Sequence, residues 1–204
     1  MDATIGDVLV RRVDVIVPPS APMDRSLRSA AGRGILRGLV AEFAGLAPSD
    51  VLVEARCPDC GGPHGRPVVM GPEAARSIRI SLAYAGDTVI AAARRRHAVG
   101  VDAERRDGPL VADRRTAVRE ITGSSGGEME HDDREDDVDA LLHWTRIEAV
   151  LKADGRGLRV DPASVRFESR RGRLIASVPG DSRRYDVQTV ALGDDLFVST
   201  ATAE

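Results

Sequence analysis

Apolar and polar residues alternate from Asp7 to Val17, the period of a half-buried strand, and Pro18-Pro19 ends the run. From Ser26 to Gly45 the period changes. Leu27, Ala31, Ile35, Leu39 and Phe43 recur every four residues, which predicts an amphipathic helix. Its polar face carries Arg28, Arg33 and Arg37, either as a solvated surface or as contacts to an anionic ligand. Short strands are predicted at Val51–Ala55 and Val68–Met70, on either side of a loop rich in Gly and Pro from Cys57 to Pro67. Ser77–Leu82 and Thr88–Ala93 read as strands joined through Ala85-Gly86-Asp87, a turn signal.

After the basic stretch Arg94–His97 the plan begins again. Ala98–Glu104 reads as a strand and Leu110–Ile121 as a helix. Thr122–Asp139 is Gly-rich and then dense in acids, so a flexible loop or a short solvated helix is expected there. Val138–Asp154 is predicted as a helix, stopped by Gly155 and Gly157. Val165–Glu168, Arg173–Val178, Arg184–Val190 and Leu196–Thr200 then read as strands, divided by turn sequences. Residues 1–97 and 98–204 therefore share one order: strand, helix, several strands. Helices followed by runs of strands predict an α+β fold with mostly antiparallel sheets, built as two similar α/β halves.

Composition adjusts this picture in three ways. An aromatic content of 3% means that the core must be built from Val, Leu, Ile and Ala. A formal net charge of -3 argues against a nucleic-acid binder, which is usually basic. No long apolar run is present to span a membrane, and the N-terminal stretch lacks a signal-peptide pattern, so a cytoplasmic protein is expected. The two cysteines, in Cys57-Pro58-Asp59-Cys60, leave three readings open. They form a tight turn with reduced thiols, half a zinc site with His64 as a third donor, or a redox pair. Gly61-Gly62-Pro63 breaks the helix that a redox pair would be expected to start.

Chemistry concentrates in two places. Alternation puts Asp102 and Glu104 on one face of their strand. Helical spacing puts Trp144, Glu148 and Lys152 on one face of theirs. Alone, Glu148 and Lys152 would be a surface pair worth about 0.3 kcal/mol. Brought together, three carboxylates and an ammonium would suit a hard divalent cation and a phosphate, because Mg2+ is held by a few carboxylates plus phosphate oxygens.

The residues around these clusters carry a resemblance. Val99-Gly100-Val101-Asp102-Ala103-Glu104 resembles the Gly-(Val/Ile)-Asp-x-Glu motif of the larger, Sfp-like 4′-phosphopantetheinyl transferases. Trp144-Thr145-Arg146-Ile147-Glu148-Ala149-Val150-Leu151-Lys152 is similar to that family's Trp-(Ser/Thr)-x-Lys-Glu-Ala-x-x-Lys. His64-Gly65-Arg66-Pro67 stands where the family has Gly-Lys-Pro, and Ser81-Leu82-Ala83-Tyr84-Ala85-Gly86 where it has a Ser-x-Ser-His-Ser-Gly-like segment. The resemblance runs from about Gly32 to Leu158.

It implies a monomeric pseudo-dimer with coenzyme A bound between its halves. The implied reaction moves phosphopantetheine from coenzyme A to a serine of an acyl or peptidyl carrier protein of polyketide or nonribosomal peptide synthesis, releasing 3′,5′-ADP. It implies Mg2+ on Asp102, Glu104 and Glu148, Lys152 on the diphosphate, and Glu148 or a metal-bound water as the base. Arg66 would face the 3′-phosphate with Ala83 and Tyr84, and Arg33 and Arg37 would add charge there. Two positions depart from the family: Ile147 replaces a Lys, which implies a charge missing beside the diphosphate, and Ala83-Tyr84 replaces Ser-His. These departures also leave room for a relative that binds coenzyme A or a carrier without transfer.

Overall fold

The computed structural model describes residues 1–15, 25–55, 57, 60–62, 65–106, 118, 120–121 and 133–204. The first half builds β1 (Asp2–Ile5), β2 (Val8–Asp14), α1 (Arg25–Ala44), β3 (Leu52–Ala55), β4 (Pro67–Met70), the single turn α2 (Glu73–Arg76), β5 (Ile78–Ala85) and β6 (Thr88–Arg95). The second builds β7 (Val99–Arg105), α3 (Asp133–Asp154), β8 (Arg166–Arg170), β9 (Arg173–Ser177), β10 (Tyr185–Thr189) and β11 (Leu196–Ala203). Among the described residues every strand pairing is antiparallel, and the chain is a mixed α+β protein, as the element order predicts.

Two sheets carry the architecture. One runs β1-β2-β6-β5, the other β7-β11-β10-β9-β8, and β3-β4 is a separate ribbon. In both large sheets a strand that precedes the long helix (β2 or β7) lies beside the half's last strand (β6 or β11), which lies beside the penultimate one (β5 or β10). Strand alternation explains the layering. Val8, Val10, Ala83, Ala85, Ile90 and Ala92 of the first sheet meet Val99, Val101, Ala103, Leu196 and Val198 of the second in a shared core. The opposite face of the first sheet, with Ile78, Ile80, Ala91 and Ala93, is covered by Leu36, Leu39 and Val40 of α1. The opposite face of the second, with Tyr185, Val187 and Ala201, is covered by Ile147, Val150 and Leu151 of α3. The order of layers is helix, sheet, sheet, helix, and small aliphatic residues fill each contact.

Several boundaries differ from the sequence reading. The alternating run from Asp7 holds one strand, β2, and an unexpected strand, β1, precedes it; Gly6, with a positive φ of 58°, turns the chain between them into a hairpin. α3 begins at Asp133, five residues before the predicted start at Val138, so the end of the acidic stretch is helical, one of the two forms expected for it. Of the helix expected at 110–121, Val118, Glu120 and Ile121 are helical and the remainder lies outside the described residues. Among the described residues, no helix is long and apolar enough to cross a membrane.

A clamp at one end ties the two sheets together. Arg12 of β2 donates from its two terminal nitrogens to Asp195 at 2.6 and 2.9 Å, and to the Leu192 carbonyl at 2.7 Å. This bidentate bond holds the Asp195 carboxyl below its ordinary range. The Thr88 hydroxyl, 2.6 Å away, does the same for Asp14, with help from Arg12. A carboxyl depressed in the fold stabilises it fully above about pH 4 and loses that contribution as pH falls through the depressed value. Asp195→Asn is therefore expected to lower the urea midpoint at pH 7 and to flatten its decline below about pH 4. Equal acid limbs for both proteins would show that the clamp adds no stability.

Candidate functional site

The site is built where α3 crosses β7. Gly100 makes this crossing possible. A Cβ at this position would stand 1.9 Å from the Ala149 carbonyl oxygen and 2.6 Å from the Ala153 nitrogen, so only glycine lets the helix backbone lie against the strand. Gly100, Asp102 and Glu104 alternate with the core residues Val99, Val101 and Ala103, and thus face the α3 side of the sheet. On α3, Trp144, Glu148 and Lys152 are half-buried, whereas Thr145, Ile147, Ala149, Val150 and Leu151 are buried. The two polar faces predicted from spacing therefore lie along the same helix–strand contact.

Lys152 joins them directly. Its Nζ donates to Asp102 Oδ1 at 2.7 Å and to the Val101 carbonyl at 3.1 Å. Asp102 is 8% exposed, so this ion pair sits where solvent screening is weak. The first half reaches the same strand, because the amide of Val101 donates to Ser81 Oγ of β5 at 3.0 Å. Ser81, Val101, Lys152 and Asp102 form one hydrogen-bonded series. In the sequence Ser81 stands only as part of the segment Ser81–Gly86, and its bond to β7 across the sheet edges gives it a role.

Among the described residues, no three His, Cys, Asp or Glu side chains converge as a metal-ion site. Asp102, Glu104 and Glu148 are hard oxygen donors of the kind Mg2+ takes, but they stand as an ion-paired strand–helix face and not as a closed ligand set. Cys57 and Cys60 stand in a turn closed by Gly61 N donating to the Cys57 carbonyl at 2.9 Å and Gly62 N donating to Cys60 Sγ at 3.4 Å. His64, the third donor considered for zinc, lies outside the described residues.

The arginines and Tyr84 divide between two places. Tyr84 lies on the α1 side of β5, so close to the helix that a Cβ on Gly32 would stand 2.3 Å from its hydroxyl. Burial raises the Tyr84 pKa, and the Arg33 and Arg28 cations oppose that rise. Arg33 donates to Ser29 Oγ at 2.5 Å, while the buried Arg28 Nε has no hydrogen-bond partner among the described residues. Arg28, visible in the sequence only as part of a polar face, thus belongs with Tyr84 and Arg33. Arg37 is exposed and donates to the Pro48 carbonyl at 3.3 Å.

Arg66 stands elsewhere, with a terminal nitrogen 2.4 Å from where a Cβ on Gly155 would be, just beyond the end of α3. Its side chain is exposed at the surface, yet protein atoms crowd the guanidinium. That crowding lowers its pKa, and the Arg79 and Arg183 cations add to the effect. Asp154, Asp181 and Tyr185 complete the surrounding network, with Asp154 held by Arg156 at 2.8 Å.

Two residues read as departures face the core. Ala83 is 2% exposed and packs between the sheets, opposite in direction to Tyr84, so its methyl does not line the Tyr84 site. Ile147 is 2% exposed and packs under α3. An apolar side chain at position 147 is thus accommodated by the core of the second half. No protein-family model matches the chain, and a search of curated proteins found no match.

Two outcomes test the geometry. Gly100→Ala should cost about 3 kcal/mol in chemical denaturation, because the helix must shift away from the strand. Lys152→Ala should cost about 2 kcal/mol by leaving Asp102 without its ammonium. That is less than the full buried-pair penalty, since Lys152 keeps 29% of its side chain exposed. A double cycle with Asp102→Asn should show coupling, and additive losses would mean that the pair contributes no mutual stabilisation.

Proposed function

We propose that the chain is a 4′-phosphopantetheinyl transferase. It transfers the phosphopantetheine arm of coenzyme A to a serine of an acyl or peptidyl carrier protein. The observation that carries this reading is the Lys152–Asp102 pair at 2.7 Å on a face shared with Glu104 and Glu148. In the motif resemblance Lys152 is the residue that meets the diphosphate of coenzyme A. The matching strand orders of residues 1–97 and 98–204 support reading them as two related halves of a pseudo-dimer, acting as a cytoplasmic monomer.

In this reading the serine Oγ–phosphorus bond forms as the bond from that phosphorus to the oxygen of 3′,5′-ADP breaks. Glu148 accepts the serine proton. Lys152 neutralises charge growing on the diphosphate, a fixed charge that needs no reorganisation during reaction. Asp102, Glu104 and Glu148 are the residues that would hold Mg2+, which when bound would add to the neutralisation of the same diphosphate. Lys152 already holds Asp102 Oδ1, so ammonium and cation compete for that oxygen. Arg28, Arg33 and Tyr84 form one candidate anion contact for the 3′-phosphate, and Arg66 with Arg79 another. The motives for an inactive binding relative were Ala83 and Ile147. Both are buried.

The test is incorporation of a fluorescent coenzyme A arm into purified carrier proteins with and without Mg2+. Glu148→Gln should abolish labelling, and Lys152→Ala should slow it about 100-fold or more. A folded protein that labels none of several carriers would overturn the reading.

A further inference from the structure

On the side of the second sheet away from α3, the apolar seam between the sheets ends in a polar cavity of about 130 Å³. Its floor is a square of four side chains. In the β10–β11 register Asp186 stands opposite Thr202, and Gln188 opposite Thr200. All four alternate with residues facing α3, so they point toward the first sheet. The β1–β2 turn at Gly6-Asp7 closes the cavity from above.

The charges around it do not balance. Arg94 holds Asp7 at 2.8 Å and the Ala203 carbonyl at 2.9 Å. Arg173 is shared between Asp186 Oδ2 at 3.1 Å and Glu204 at 2.7 Å. Two guanidinium groups thus face three carboxylates, which leaves one negative charge. Asp186 is 8% exposed, and its Oδ2 also receives the Gln188 amide at 2.8 Å. Its Oδ1 is buried and has no hydrogen-bond partner among the described residues. A buried carboxylate oxygen left in this state is costly unless something positive meets it. Thr200 donates its hydroxyl to the Gln188 carbonyl at 3.5 Å, so its oxygen lone pairs are available to a cation.

We propose that this cavity binds a monovalent metal cation of sodium or potassium size, through Asp186 Oδ1 and the Thr200 and Thr202 hydroxyls. One carboxylate with neutral oxygens suits a single charge, and the nearby Arg173 opposes a double one. The ion fills the end of the seam and stabilises the docking of the β1–β2 hairpin on β10 and β11. This inference stands apart from the transferase reading.

Thermal unfolding of the full chain in KCl, NaCl, NH4Cl and choline chloride at equal ionic strength tests it. The melting temperature in KCl or NaCl should exceed that in choline chloride by about 3 °C, as an ion at ten times its Kd would give for a chain of this size. Asp186→Asn should abolish the difference. Thr200→Val, which keeps the carboxylate, should reduce it, and decides the matter if the first variant does not fold. Equal melting temperatures in all four salts, stabilisation by ammonium alone, or an undiminished response in Thr200→Val would overturn the proposal.

Discussion

Everything at the candidate site depends on how near a helix backbone comes to a strand. A side chain at position 100 would collide with the Ala149 carbonyl, so the absence of a Cβ sets the height of α3 above β7. That height lets a lysine on the third turn of one face reach a strand carboxylate at 2.7 Å, with a strand carbonyl as its second acceptor. A helix lifted by even one methyl radius would leave Asp102 buried and the ammonium short of it. The chemistry is thus fixed by packing before any ligand enters.

Much of the fold can be read in the pattern of the chain. The helix from Arg25 to Ala44 matches the span of its predicted repeat, and β7 follows its alternation. The helix's buried line, however, runs through Leu36, Leu39 and Val40, and among the described residues of the repeat itself only Leu39 is buried. Parity on β7 and helical spacing on α3 also correctly place Asp102 and Glu104 on one face and Trp144, Glu148 and Lys152 on another. Where pattern fails, a physical reason is visible. β1 is only four residues, too short for alternation to show before the turn. The acidic start of α3 leaves loop and helix open in the sequence, because its stability as helix comes from the later, buried turns of the same element.

The orientation of single positions was the least legible. Ala83 and Tyr84 are adjacent in sequence and lie in different layers, which follows from strand parity once the strand's inner face is known, and not before. Ile147 adjoins Glu148 yet packs in the core, whereas Glu148 is half-buried, a difference that helical phase fixes only once the buried face is known. Ser81 and Arg28 gain meaning only from the tertiary fold, because their partners are 20 residues away in one case and on another element in the other.

The series from Ser81 through Val101 and Lys152 to Asp102 crosses from one sheet to the other. It makes the lysine's position a readout of how the sheets are seated. A rotation of one sheet against its neighbour by a fraction of an ångström at this edge displaces the strand carbonyl on which the ammonium rests. The molecule is in this sense a lever: whatever grips the outer layers sets the reach of a cation buried between strand and helix.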